Sequence, residues 1–370
     1  MMKANKWIIL VAIVFVVWKF FLIHVQFRND LNSQRFNDLS VYITHIDSIN
    51  QCNSVVFCKK FPASFEGYGG FEHLTYRLFF GSIAHVLRIT SPNMLLASFY
   101  IGTLLLIPAL IVFLRTLNPN KNLLAFSLLF LALYNGAGSY HGFFWVVPSF
   151  FALLLFFLLF SVFKGHYKHW KIYSFILIPL MIYTHFIGLY LIFILPLFTL
   201  FYSLFKKEID LDLFKKLGFI LFITVLFYVP TAFYLRNSPY GGNPYGIETL
   251  AHLFVNSASK YVSSTPIKNS DGLPLPPTST NMESTMPFSK TLNQTLFPGF
   301  HQIKTDYFDW IFPHWVAVLF FLFLTFLLIY YEQYALLSLY LAALSFTLLS
   351  SISIYGIRSL LLTWPLTFLV

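Results

Sequence analysis

Residues 92–114 have the sequence PNMLLASFYIGTLLLIPALIVFL, which contains no charged side chain and is almost entirely apolar. An α-helix rises about 1.5 Å per residue, so this stretch is long enough to cross the hydrocarbon core of a bilayer, about 30 Å thick. Similar runs recur along the chain, which is 58% hydrophobic, 20% aromatic and only 10% charged. Soluble domains carry about 25% charged residues. The composition therefore excludes a water-soluble globule and predicts an all-α, polytopic helical membrane protein.

The apolar runs predict about ten transmembrane helices, taking 17–25 residues as one span. The first run, Trp7 to Val25, follows two lysines and lacks a small-residue cleavage pattern, so we interpret it as an uncleaved signal anchor. Short turns containing glycine, at 135–142 and 184–188, separate two pairs of runs. The later runs lie at about residues 92–114, 122–140, 142–163, 172–187, 188–205, 217–235, 313–331, 335–352 and 355–370.

The basic residues orient these spans. With the amino end in the cytoplasm, nine lysines and arginines fall in the cytoplasmic connections and none falls in the short outer turns, as the positive-inside rule requires. They are Arg115, Lys121, Lys164, Lys168, Lys171, Lys206, Lys207, Lys215 and Lys216. We therefore predict a multi-pass protein of the plasma or inner membrane, with residues 28–91 and 236–312 outside. The net charge of +10 is explained by this arrangement, so no nucleic-acid partner is predicted.

The first outer segment opens with RNDLNSQRFNDLSVYITHIDSI, residues 28–49, in which apolar side chains repeat at three- and four-residue steps. This spacing predicts an amphipathic helix at the membrane surface. Two of its carboxylates are candidates for a general base, although aspartate is also a favoured helix cap. The capping interpretation is preferred for Asp30, whereas both roles stay open for Asp38.

A second surface helix is predicted from GYGGFEHLTYRLFFGSIAHVLRI, residues 67–89. Its polar stripe is expected to contact lipid phosphates for the most part. The stripe consists of His73, Arg77, Gly81, His85 and Arg88. Between the two helices lie Cys52 and Cys58, the only cysteines of the chain. We predict that they form a disulfide, which an outer location allows.

Three further features bear on function. Residues 256–299, in the second outer segment, are rich in Ser, Thr, Pro and Asn and predict a flexible loop. His185, in THFIG, lies at the outer end of a span, where a polar residue tends to have a function. Asp210-Leu211-Asp212 has the form of a metal-binding DxD motif but lies among cytoplasmic lysines, so we interpret it as a solvated face. No metal site is predicted.

Short motifs in the first outer segment are similar to those of a known superfamily. Asp38 and Tyr42 form an Asp-x-x-x-Tyr pattern, and Tyr68 and His73 keep the ends of a Tyr-Pro-x-x-x-His element, with Gly69 in place of the proline. In these features, and in its layout, the chain resembles the GT-C superfamily of membrane glycosyltransferases. That superfamily includes the protein mannosyltransferases and the aminoarabinose transferases.

The resemblance continues in two later elements. THFIG is similar to the Thr-His pair found in a mid-chain span of many such enzymes. YGIRSLLLTWPL, residues 355–366, is similar to an Arg-Tyr-Leu-Leu-Pro element near the end of the membrane domain. Arg358 keeps the arginine, while Ser359 replaces the tyrosine and the proline comes later.

The resemblance implies one membrane domain, residues 1–370, that transfers a sugar from a polyprenyl-phosphate donor to a protein, lipid or glycan acceptor outside. The leaving phosphate is already acidic, so one carboxylate suffices as base for the acceptor, whereas glycosidases need two. Asp38 would be that base. The implied substrate-binding residues are Asp30, Tyr42, His73, His185, Arg236 and Arg358. No cofactor is implied with certainty, and a divalent metal ion stays open.

Two alternatives stay open at this point. A polysaccharide polymerase or ligase would use the late outer loop, where Arg236, His301 and Lys304 lie. A secondary transporter or flippase would carry charges near the bilayer midplane and inverted repeats. The spans contain almost no acids, Lys19 is an isolated base, and no inverted repeat is apparent. The chain ends at Val370 within an apolar run, which leaves room for a further span or an outer domain.

Overall fold

The computed structural model describes residues 6–33, 42–43, 46–47, 74–117, 147–185, 187–236, 322–323 and 325–349. Within these ranges the chain is almost entirely helical and contains no β-strand. The all-α class predicted from the sequence is confirmed for this part of the chain. The predicted flexible loop and the predicted disulfide lie outside it.

Ten α-helices and one π-helical turn are named here. The helices are α1 (Lys6–Ser33), α2 (Leu74–Tyr76), α3 (Ser82–Leu87), α4 (Ser91–Leu117), α5 (Val147–Lys164), α6 (Trp170–Thr184), α7 (Ile187–Ile192), α8 (Ile194–Lys206), α9 (Leu211–Arg236) and α10 (Tyr334–Leu349). The π turn, Arg77–Gly81, joins α2 and α3. By length and composition, Ser91–Leu117 and Leu211–Phe233 could each cross a membrane, and several shorter helices are also apolar. The larger number of spans expected from the sequence stays a prediction.

Helix α1 is longer than the apolar run that predicts it. The run ends at Val25, but the helix continues to Ser33, and neither glycine nor proline occurs between these residues to stop it. Asp30 therefore lies in the last turn of α1. The expectation that it begins a separate surface helix is wrong.

Helices α4 and α5 pack side by side and run in the same direction. Near their carboxyl ends, the ring centroids of Phe113 and Phe157 are 4.6 Å apart. Near their amino ends, Ser98 of α4 and Phe151 of α5 both contact Tyr76. Aromatic burial of this kind contributes strongly to helix packing.

Helix α8 runs in the same direction as α5. The ring centroids of Phe160 and Phe198 are 4.9 Å apart. One turn further along both helices, the Lys164 ammonium donates to the Tyr202 hydroxyl at 3.0 Å and lies 4.2 Å from the centre of its ring. From the first contact to the second, the residue number rises by four in both helices, which shows that α5 and α8 are parallel.

Helices α6 and α9 run in the direction opposite to α5. Helix α6 follows α5 after residues 165–169 and packs against it, and Lys216 near the start of α9 donates to the Gly165 carbonyl just beyond the end of α5. The two helices are parallel to each other: the ring of Trp170 lies 5.2 Å from that of Phe219, and the Tyr183 hydroxyl lies 2.9 Å from Thr231 Oγ1. The bundle therefore has two distinct ends. One, the Tyr76 end, carries Tyr42, Tyr76 and the amino ends of α4 and α5. The other, the lysine end, carries basic residues that lie within or beside the described helices: Arg115, Lys164, Lys168, Lys171, Lys206, Lys207, Lys215 and Lys216.

The helix break predicted at THFIG is present. Helix α6 ends at Thr184, and His185 adopts an extended backbone conformation with φ −164° and ψ 144°. The Gly188 N–H donates to the His185 carbonyl at 2.8 Å, which closes a tight turn before the next helix continues. A Cβ atom on Gly188 would collide with the backbone carbonyl of Met181. Only glycine fits this close approach.

We expect Gly188→Ala to lower the free energy of unfolding by about 1–3 kcal/mol, because the added methyl group meets backbone atoms that cannot move aside. Equilibrium unfolding in mild detergent would measure it. Gly218→Ala is the matched control, since a Cβ there has no atom within 4 Å. In a helix interior that change should be neutral or stabilise by about 0.5–1 kcal/mol. Equal stability of the two variants would contradict this account of the turn.

Candidate functional site

The centre of the Tyr76 end is a buried contact between two segments of the chain. The Tyr76 hydroxyl lies 2.8 Å from Ser98 Oγ. Since the Ser98 hydroxyl donates to the Leu95 carbonyl at 2.7 Å, Tyr76 must donate the shared hydrogen bond. The ring of Tyr42 packs edge-on against Tyr76 with centroids 6.4 Å apart. Tyr42, a predicted site residue, is thereby fixed beside the start of α4.

Burial determines the protonation of this contact. It raises the pKa of the Tyr76 phenol well above its ordinary value. Tyr76 therefore acts as a proton donor in a hydrogen bond and not as a base. Burial also lowers the pKa of the neighbouring Arg77 guanidinium, although an arginine keeps its charge at neutral pH.

The polar stripe predicted for the second surface helix is only partly correct. His85 and Arg88 are exposed, as expected of residues that contact headgroups, but Arg77 and Gly81 are buried. The reason is the π turn at Arg77–Gly81, which changes the number of residues per turn and so rotates the following helix. A headgroup contact for Arg77 is therefore wrong. π turns occur often at functional sites.

Asp47 is a carboxylate that sequence reasoning missed. The buried Ser91 hydroxyl, at the first residue of α4, donates to Asp47 Oδ1 at 3.2 Å. A negative charge is favoured at a helix amino terminus because of the exposed N–H groups and the helix dipole. The Ser-Pro pair at residues 91–92 indicates a helix start, but it does not indicate which acid lies there.

His185 is buried at the carboxyl end of α6. Its neighbour Tyr183 attaches this end to α9, donating to the Phe227 carbonyl at 3.1 Å and lying 2.9 Å from Thr231 Oγ1. Helix α6 runs opposite to α5 and is contacted by α2. His185 therefore lies at the same end of the bundle as Tyr42 and Tyr76, although they are distant in sequence.

The structure describes the remaining predicted site residues to different extents. For Asp30, in the last turn of α1, and for Arg236, at the end of α9, it describes the backbone. Arg236 lies toward the Tyr76 end, because Thr231 of α9 contacts Tyr183 at the carboxyl end of α6. Asp30 follows His24, whose Nδ1 is 3.1 Å from the Tyr100 hydroxyl of α4. The residues outside the described ranges are Asp38, His73, Arg358, Cys52 and Cys58.

The DxD-like acids have structural roles at the opposite end. Asp210 Oδ1 accepts a hydrogen bond from the Leu213 N–H at 3.0 Å and caps the amino end of α9. Asp212 lies 2.9 Å from the Lys216 ammonium, which also donates to the Gly165 carbonyl at 2.8 Å. Within the described ranges, no group of three or more His, Cys, Asp or Glu residues could hold a metal ion.

No family model matches the chain, and neither a curated protein nor a solved structure matches it. The similarity to the GT-C superfamily therefore consists of short motifs and layout. The described residues that bear on function are Tyr42, Tyr76 and His185, which are buried at the Tyr76 end.

Proposed function

We propose that this chain is a multi-pass membrane protein, and the exposed faces of its helices support this. Helix α4 exposes Leu104 and Leu105 at its middle, and α9 exposes Phe222, Val225 and Leu226. Contiguous apolar surface on this scale is unusual for a soluble monomer and is typical of a lipid-facing helix. The buried faces carry the opposite kind of residue.

Hydroxyl side chains are buried between the helices. Thr103 donates to the Phe99 carbonyl and Thr199 to the Leu195 carbonyl, both at 2.9 Å along their own helices. Small hydroxyl residues at helix contacts and large apolar residues outside are the pattern of membrane bundles. The other buried serines and threonines in α4 to α10 are Ser91, Ser98, Ser161, Ser174, Thr184, Thr224, Thr231 and Ser338.

The proposed activity is glycosyl transfer at the outer face, with the lysine end in the cytoplasm. The observation that carries it is the contact of Tyr42 with Tyr76. Through this contact, and through the hydrogen bond from Tyr76 to Ser98 of α4, Tyr42 of the Asp-x-x-x-Tyr pattern is attached to the bundle end where His185 lies. Asp38 precedes Tyr42 by one turn of the predicted surface helix. A carboxylate there would act where a lipid-linked substrate meets the membrane surface.

The proposed chemistry needs one proton acceptor and one cationic group. The acceptor hydroxyl attacks C1 of the donor sugar and gives its proton to the Asp38 carboxylate. The bond between C1 and the phosphate oxygen breaks, and polyprenyl phosphate leaves with the electron pair. Arg358 and Arg236 are proposed to bind the phosphate, because the planar guanidinium matches its oxygens.

An assay in native membranes tests the reaction class. Membranes containing the chain would be given a radiolabelled hexose on polyprenyl phosphate, with membranes lacking the chain as control. We expect label on an acceptor together with released polyprenyl phosphate. Accumulation of intact donor inside sealed vesicles without transfer would point to a transporter or flippase. Stepwise lengthening of a lipid-linked glycan would point to a polymerase.

A further inference from the structure

The segment from the last residue of α8 to the beginning of α9, residues 206–215, exposes large apolar side chains at the lysine end. We name it the α8–α9 turn. Ile209 and Leu211 are each 67% exposed, and Phe214 is also exposed. Apolar side chains at the tip of a turn are poorly placed in water, because no neighbouring segment shields them. Their position calls for an apolar environment next to this end of the bundle.

Lysines flank these apolar residues on both sides. Lys206, Lys207 and Lys215 are all exposed. Lys207 takes a left-handed backbone conformation, with φ 54°, and its N–H donates to the Leu204 carbonyl at 3.3 Å, so α8 ends here and the chain turns. The turn thus combines exposed apolar and exposed cationic side chains.

Two of the three acids in this turn are engaged internally. Asp210 caps α9 through the Leu213 N–H, and Asp212 pairs with the buried Lys216. Glu208 and Asp212 are both exposed, but the charge of Asp212 is balanced by its pair with Lys216, and Glu208 has no such bond to a described residue. Against the three exposed lysines, this leaves a net positive charge on the outward side of the turn.

We infer that the α8–α9 turn is an anchor for an anionic lipid surface. The apolar side chains enter the boundary of the acyl chains, and the three ammonium groups contact headgroup phosphates. Anionic lipid satisfies both features at once, since it offers an apolar layer directly beneath a layer of negative charge. This inference rests on the membrane embedding proposed above but not on the sugar transfer.

A fluorescent probe in the turn tests the anchor. The native cysteines would be removed by Cys52→Ser and Cys58→Ser, and an environment-sensitive fluorophore attached at Ile209→Cys. The full chain would be reconstituted in vesicles of phosphatidylcholine with increasing phosphatidylglycerol, some of the lipid being brominated as a quencher. We expect quenching that increases with phosphatidylglycerol content. A probe that stays in water at every composition overturns the inference.

Variants that remove positive charges test whether the lysines of the turn cause the quenching. With Lys206→Gln, Lys207→Gln and Lys215→Gln combined, we expect the phosphatidylglycerol content for half-maximal quenching to rise at least about threefold. The control removes three exposed charges at the same end but outside the turn: Arg115→Gln, Lys168→Gln and Lys171→Gln. Its shift should stay below about twofold.

The outcomes separate the two proposals. Equal shifts in the turn variant and the control would overturn a specific role for the turn. A chain that does not enter the vesicles at all would instead contradict the membrane embedding. A chain that enters normally while the probe at position 209 stays in water leaves the embedding intact and rejects the anchor alone.

Discussion

Sugar transfer from the lipid-linked donor should fall by about 10²–10⁴-fold in Asp38→Asn, the range over which a positioned general base contributes. The amide has nearly the volume of the carboxylate but cannot accept the acceptor's proton. The measurement is the initial rate in membranes, normalised to the amount of folded protein. Arg358→Ala should act differently and raise the KM for the donor, because it removes positive charge from the proposed phosphate site.

Asp47→Asn is the matched control, since Asp47 belongs to the same outer segment. Its carboxylate accepts a hydrogen bond from the Ser91 hydroxyl, and an amide oxygen can accept that bond in its place. We expect less than about a tenfold loss of rate. A wild-type rate in Asp38→Asn would reject the proposed base. A large loss confined to Asp47→Asn would assign the base to Asp47 instead.

The long helices could be predicted closely from the sequence. The apolar run at 92–114 corresponds to α4, Ser91–Leu117, and the run at 217–235 lies within α9, Leu211–Arg236. Hydrophobic length and flanking charges decide such helices locally. The extension of α1 to Ser33 could not be found in this way. Its last turns are polar, so no apolar run marks where the helix ends.

The site was predicted less completely, because it depends on contacts between distant residues. Tyr42 and His185 were proposed from short motifs, and both are buried at the Tyr76 end, while their role in a site stays a prediction. Tyr76 itself was missed, since its role depends on a hydrogen bond to Ser98 in another helix. Arg77 was assigned to the wrong environment because a regular helical repeat does not include the π turn. Packing across the bundle end decides both cases.

Leu104→Cys should react with a water-soluble maleimide at least about 10²-fold more slowly than Val86→Cys, both in a Cys52→Ser, Cys58→Ser background. Leu104 lies at the middle of α4 and is 50% exposed, whereas Val86 of α3 is 74% exposed. By exposure alone the two thiols should react almost equally. In a bilayer the first would face hydrocarbon, which excludes the reagent and disfavours the reactive thiolate.

Comparable labelling rates in the folded state would mean that the exposed face of α4 meets water, and the membrane embedding would be rejected. Equal rates after unfolding in SDS are needed to show that neither thiol is intrinsically inert. A slow reaction in detergent as well as in membranes would mean that protein covers the face. Fast labelling in delipidated detergent with slow labelling in native membranes is the result that assigns the protection to lipid. That result would explain why leucine and phenylalanine face outward while threonine and serine are buried.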